Sequence, residues 1–395
     1  MKFHKLDPQW LDAWHVNPSA NKDYDLIDGL RGIAIILVLV GHQIYGSTKL
    51  TDAPLVRYLY FFINPGFGVT LFFALSGFLI SIPFWKLKII KEERVTPRGY
   101  AQRRFWKIYP PLSLSVTLFA AFGFVRSGDF SYVEAAVKWL TGWAILLPVS
   151  GKLNGVMWTL AVEVQFYILL PLLFLCLKKT TPSQCRWLTL LILLAVPALI
   201  RWLCYGGVPV ILKPNINTHF PVNLDSFACG VFVAGLECQR LLVPSQARLG
   251  DLGFVLLLLA FTLSAWIAIH SSPMPFLQEI VRWTAMTAGG LLILYIADPQ
   301  HPRSRLLCQP WLRWCGLISY ELYLLHQPPI IWIRETFGYP RGDLLNLAIQ
   351  AAATIIPTFA FAALLYCFFS LPILKYGRSK ASTTSMAKSS FKNNA

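Results

Sequence analysis

Between Arg31 and His42 the chain carries no charge, only Gly, Ile, Ala, Leu and Val. Such a run reads as a membrane-spanning helix. An ionisable residue near the bilayer centre costs roughly 2.5–3.5 kcal/mol on insertion scales, so two in one short helix require a reason. A turn of about 100° per residue brings Arg31 and His42 to nearly the same face, roughly 16 Å apart along the axis. The helix thus presents a cation at one end and an imidazole at the other. That suits a ligand with an anionic head and a reactive end. The plainer reading is that Arg31 snorkels to the interface and His42 packs against a neighbouring helix.

Similar apolar runs recur along the chain. Of the 395 residues, 55% are hydrophobic and 14% charged, with a mean hydropathy of +0.53. A soluble protein of this length would carry far more charge. The expected fold is all-α, a polytopic membrane protein of about ten transmembrane helices. The spans fall near 26–46, 59–82, 107–126, 156–177, 187–206, 223–242, 252–270, 280–297, 312–334 and 346–371. They form one domain over 26–371, between a cytoplasmic segment 1–25 and a Ser/Lys/Asn-rich tail 372–395 of disordered composition. Fourteen Trp and fifteen Tyr fit interfacial belts. The amphipathic stretch 132–149 reads as an interfacial or re-entrant helix. Residues 1–25 are polar and lack a signal-peptide pattern, so the first span is expected to stay as an anchor. No half of the chain repeats another.

The net charge is +16. In a soluble protein that would raise nucleic acid as a partner. Here topology accounts for it, and no nucleic-acid partner is expected. With the N-terminus in the cytoplasm, basic residues crowd the inner segments, densest in the loop 83–107. The positive-inside rule then places both termini in the cytoplasm and the chain in the cell (plasma or inner) membrane, among its lipids. The eight cysteines include no C-x-x-C pair, so neither a disulfide framework nor a metal site is expected.

The same topology puts His42, Glu163, Asp225 and His326, from four spans, in the outer half of the membrane. An imidazole and a carboxylate at one depth suit acid–base chemistry, with a base in reach of a proton and a partner to set its tautomer. The competing reading is a structural polar cluster joining helices. Glu163 and Tyr167 share a helix face, as do Ser319 and His326. Pro328-Pro329 frees backbone carbonyls inside a span, the mark of a cavity or a close partner. A Ser nucleophile is the weaker idea, since no Gly-x-Ser-x-Gly elbow occurs. Glu321 and Tyr323 read as packing residues. In the basic loop, Arg103, Arg104 and Lys107 stand beside Phe105, Trp106 and Tyr109. They are suited to clamping phosphate and stacking a purine, unless they are only a solvated positive loop.

Taken in order, these stretches resemble the acyltransferase-3 family of integral membrane acyltransferases, which O-acetylate surface polysaccharides and related sugars. The resemblance rests on Asp28-Gly29-Leu30-Arg31-Gly32 to His42, Gly68-Val69 to Leu75-Ser76-Gly77-Phe78-Leu79-Ile80, and Arg103-Arg104 to Tyr109-Pro110. It continues through Trp158 to Glu163-Val164-Gln165-Phe166-Tyr167 and Ser319-Tyr320 to Leu324-Leu325-His326-Gln327-Pro328, covering nearly the whole chain. It implies acyl-CoA, usually acetyl-CoA, as co-substrate rather than bound cofactor, and an essential Arg–His pair carried by Arg31 and His42. Three positions depart from the pattern. Val164 stands where a second Glu is common, Lys107 replaces an Arg and loses the bidentate fork, and Asn223 replaces the Arg of an Arg-x-Asp. Some members carry a soluble hydrolase-like domain after the spans, which is not expected here.

The function so implied is transfer of an acyl group, acetyl by the family's habit, from cytoplasmic acyl-CoA to a hydroxyl of a sugar, glycan or lipid-linked glycan on the outer side. Arg31, Arg103, Arg104 and Lys107 would hold the CoA phosphates. His42 would act as base and Glu163 would orient it, while His326 would donate to the oxyanion or bind the acceptor. An acyl-His intermediate stays open. The alternative from another class is a carrier or flippase for an anionic or glycolipid substrate, against which stands the missing repeat. A third is a structural subunit of a glycan-synthesis complex.

Overall fold

The computed structural model describes residues 22–48, 64–90, 97–146, 153–205, 220–269, 275–339 and 344–377. The segment before residue 22, the tail after 377, the centre of the basic loop at 91–96 and the end of the amphipathic stretch at 147–149 lie outside the described residues.

Every described element is helical. In order they are α1 (Lys22–Thr48), α2 (Pro65–Ile90), α3 (Pro97–Ser127), the short α4 (Ser131–Leu140) and α5 (Trp143–Leu146), and α6 (Trp158–Cys176). Then come α7 (Pro182–Tyr205), α8 (Phe220–Cys238), α9 (Arg248–Ile269), α10 (Pro275–Ile293), α11 (Pro302–Leu307), α12 (Pro310–Leu317), α13 (Ser319–Leu325), α14 (Gln327–Phe337) and α15 (Leu344–Leu365). Helix α15 runs on through a π turn, Tyr366–Ser370.

Among the described residues, eight helices are long and apolar enough to cross a membrane. That is fewer than the ten expected, and the difference lies in two places. Helix α8 carries Asn223, Asp225, Ser226 and Glu237 in its 19 residues, which dilute its apolar character. The expected ninth span, 312–334, is not one helix. It breaks at Ile318 and again at His326, giving α12, α13 and α14. Pro328 and Pro329 enforce the second break by removing N–H donors just after it. The stretch read as a basic loop is also mostly helix. Helix α2 runs on to Ile90 and α3 starts at Pro97, a residue suited to a first helical turn.

Helices α1 and α2 form the interior. In their apolar windows 61% of residues are buried, against 22% in those of α9 and α15, whose Val255, Leu258, Ile356 and Phe361 face outward as lipid-facing side chains would. Close backbone approach explains the motif glycines, because small residues let membrane helices touch. A Cβ on Gly316 of α12 would lie 1.8 Å from the Asp28 carbonyl oxygen, and one on Gly29 1.8 Å from that of Leu307. A Cβ on Gly77 of α2 would meet the Phe227 oxygen of α8 at 2.3 Å. At that crossing Phe227 stacks on Phe166 with centroids 4.0 Å apart. These contacts hold α1, α2, α6, α8 and α12 in fixed register around two cavities.

Candidate active site

The first cavity lies at the Arg31 end of α1. It has a volume of about 80 Å³ and is lined by Arg31, Ser76, Arg104, Lys107, Glu163, Ser319 and Tyr320, among others. Arg31 Nη2 donates to Ser319 Oγ at 2.9 Å, so the break before α13 places an acceptor against the guanidinium. Glu163 Oε1 accepts from Ser76 Oγ at 2.7 Å and from Tyr167 OH at 2.6 Å. The Arg104 guanidinium lies 5.3 Å from the Tyr167 ring centroid and 5.7 Å from that of Tyr100, with its buried Nε unpartnered. Three basic side chains therefore converge on one cavity, near one carboxylate already engaged by two hydroxyls. Arg103 is exposed and does not line this cavity.

The second cavity lies at the His42 end and has a volume of about 540 Å³. His42 Nδ1 stands 2.9 Å from the Val38 carbonyl oxygen of its own helix. A carbonyl only accepts, so Nδ1 carries the proton and Nε2 of the neutral ring keeps a lone pair. His326, at the hinge between α13 and α14, repeats this pattern. Its Nδ1 donates to the carbonyls of Tyr323 at 2.9 Å and Leu322 at 3.2 Å, and its buried Nε2 has no partner. The two imidazoles lie with centroids 5.0 Å apart. Arg334 of α14 donates to the carbonyls of Gln43 and His42, fixing the last turn of α1.

Val69, Phe73 and Tyr323 line both cavities and form the septum between them. Tyr323 is more than packing. Its hydroxyl accepts from Thr159 at 2.8 Å and donates to the Val156 carbonyl at 3.1 Å, which locks the ring in place.

The structure therefore divides the residues that the sequence places together. His42 and His326 meet, while Glu163 joins the Arg31 cavity and not that of His42. The reason is position along α6. Trp158 lines the His42 cavity, and Glu163 lies five residues further, about 7.5 Å along the axis. The partner that orients His42 is the Val38 carbonyl rather than a carboxylate.

Asp225 belongs to a network that sequence reasoning missed. Its carboxylate pairs with Arg201 of α7 at 2.6 Å and with Arg282 of α10 at 2.7 Å, and Arg201 also pairs with Glu279 at 2.9 Å. Arg282 Nη2 further donates to Asn223 Oδ1 at 3.2 Å. Where the resemblance leads one to expect Arg at position 223, a cation arrives instead from another helix. Asn223 in place of that arginine was the one available hint.

A helical membrane protein with a cation-lined cavity at one end of a buried helix and an imidazole pair at the other defines the class. Comparison with known proteins gives the family. A model described as an acyltransferase domain matches residues 24–367, and the chain belongs to the acyltransferase-3 family. It is 24% identical over 380 residues to the peptidoglycan O-acetyltransferase OatA of Listeria monocytogenes, covering 89% of this chain and 56% of that protein. It is 22% identical over 379 residues to the O-acetyltransferase OatA of Staphylococcus aureus, with 89% and 57% covered. The chain thus spans about half the length of the curated relatives it matches. No solved structure matches it.

Proposed function

We propose that the protein transfers an acetyl group from cytoplasmic acetyl-CoA to a hydroxyl of a glycan on the opposite side of the membrane. The observation that carries this reading is the pair of cavities meeting at Val69, Phe73 and Tyr323, one lined by three cations and the other by a His with a bare Nε2. The names of the relatives, O-acetyltransferases with peptidoglycan as acceptor in one case, point the same way. The excess of Lys and Arg in the segments flanking the Arg31 end supports a cytoplasmic position for that end.

Arg31, Arg104 and Lys107 bind the donor's phosphates, Arg by fork and Lys as a point charge. The thioester reaches the septum and the acceptor hydroxyl approaches from the His42 cavity. His42 Nε2 takes the hydroxyl proton as the oxygen attacks the thioester carbonyl, a contribution typically about 10²–10⁴-fold. The C–S bond then breaks, the acyl group stays on the acceptor oxygen, and the proton passes to the departing CoA thiolate. The Val38 carbonyl holds the ring for this exchange. Ser76 and Tyr167 keep the Glu163 carboxylate fixed among the cations. The test is radiolabelled acetyl transfer by purified protein in nanodiscs, where both faces are accessible. His42→Ala and Arg31→Ala should each abolish transfer while eluting as folded protein, and native activity in either overturns the assignment of that residue.

A further inference from the structure

Helix α14 opens on Gln327, Pro328 and Pro329, and the two prolines leave carbonyls of the preceding turn without their usual donors. In an unbroken helix the N–H of residue 328 would bond the Leu324 carbonyl. Proline has no N–H, and the donor comes from elsewhere in the chain. Asn154, in the segment leading into α6, donates from Nδ2 to the Leu324 carbonyl at 2.8 Å. Its Oδ1 accepts from the Val156 N–H at 3.3 Å, so the two partners fix which way the amide points. Asn154 and Leu324 are 4% and 1% exposed, and the carbonyl without its donor would be left unsatisfied in the interior. The same segment grips α13 at a second point. The Val156 carbonyl accepts from the Tyr323 hydroxyl at 3.1 Å, and Thr159 donates to that hydroxyl at 2.8 Å. A Cβ on Gly155 would stand 2.9 Å from Gln327 Oε1, so the segment lies directly against the hinge. Asn154, Val156 and Thr159 are thus stitched to Tyr323 and Leu324 just before His326, whose Nδ1 is tied to the carbonyls of Leu322 and Tyr323. Asn154 itself lines neither cavity.

We infer that Asn154 is a positioning residue for the transfer step. By supplying the donor that Pro328 withholds, it sets the bend between α13 and α14, and with it the seat of the His326 ring beside His42 and of Tyr323 in the septum. The inference rests on the acyl-transfer reading and goes beyond it, because it makes the coupling of thioester cleavage to acceptor acylation depend on a residue outside both cavities. With the donor lost, the Leu324 carbonyl turns toward another partner, the hinge shifts, and Tyr323 closes the septum less well. Water then competes with the acceptor for the thioester. Donor binding is spared, because Arg31, Arg104 and Lys107 stand on α1 and α3.

The experiment uses full-length protein in nanodiscs, labelled acetyl-CoA and soluble peptidoglycan fragments as acceptor, and reads the CoA released per acetyl group transferred. That ratio is independent of the fraction of protein that is folded, so a defect of stability alone leaves it unchanged. Asn154→Asp keeps the size of the side chain and the acceptor for the Val156 N–H but deletes the donor. It should raise the ratio at least about threefold and lower kcat for transfer at least about tenfold, with KM for acetyl-CoA within about twofold of native, as loss of a buried partner away from the donor site predicts. Should Asn154→Asp fail to elute as folded protein, Asn154→Ala, which buries no charge, takes its place in the same comparison. A ratio unmoved by the substitution, a change in KM with kcat preserved, or failure of both variants to fold overturns the positioning role and leaves acyl transfer standing. Where the native protein releases CoA but acetylates no fragment, release without acceptor decides, and it must rise in the variant. No CoA release by the native protein under any condition overturns the acyl-transfer reading itself.

Discussion

The rings of His42 and His326 lie 5.0 Å apart, centroid to centroid, at an interplanar angle of 58°, and each is tied through Nδ1 to carbonyls of its own segment. Two neutral imidazoles so anchored both keep their lone pair on Nε2. A proton collected by one ring therefore has a second acceptor close by.

His42→Gln preserves bulk and polarity but cannot take a proton. Its kcat for acetyl transfer should fall by about 10²–10⁴-fold with little change in KM for acetyl-CoA. Single-turnover transfer of labelled acetyl checks this. A near-native kcat would remove His42 from the chemistry.

Arg31 touches Ser319 and faces the cation-lined cavity, whereas Arg103 is exposed away from it. A charge-assisted hydrogen bond contributes about 1.5–3 kcal/mol, so Arg104→Ala should raise the acetyl-CoA dissociation constant roughly 10–100-fold. Arg103→Ala should change it less than about threefold, as an exposed cation does. Isothermal titration with a non-hydrolysable acetyl-CoA analogue separates the two.

Tyr323→Ala opens the septum, because its ring lines both cavities. Water then gains a path to the thioester, and CoA release without any acceptor should rise above the native rate. Tyr323→Phe keeps the ring and should not show this leak. Free thiol measured against time in the absence of acceptor decides between them.

Gly316→Ala puts a methyl group where a Cβ would stand 1.8 Å from the Asp28 carbonyl oxygen. The α1–α12 contact must separate, at a cost of about 1–3 kcal/mol, as overpacked cores show. A lower Tm in detergent, with activity lost in parallel, is the expected result. Asp225→Asn should be worse, about 3–5 kcal/mol, because it strips a buried carboxylate from two guanidinium groups.

The helical class and the membrane setting were legible because apolar runs of span length leave the backbone few other options. Arg31 and His42 were legible as a pair because both lie on one helix, where spacing fixes their relation. The partition of Glu163 from His42 was not, since it depends on the axial offset of α6 against α1, which packing alone sets. The Asp225 network draws on α7, α8 and α10, and no local pattern links Arg201, Glu279 and Arg282 before those helices meet. The basic stretch misled for a simpler reason. Lys and Arg are good helix formers, so a charge-rich segment flanking a span extends the helix as readily as it forms a loop.

A septum of three side chains also bears on voltage. Were each cavity open to its own face of a bilayer, the resting potential would drop mainly over the thin layer between them. Moving one elementary charge through 100 mV is worth about 2.3 kcal/mol. Any step that carries a proton past Val69, Phe73 and Tyr323 would then run faster at one polarity than at the other, a dependence that an electrode would read as a change in turnover.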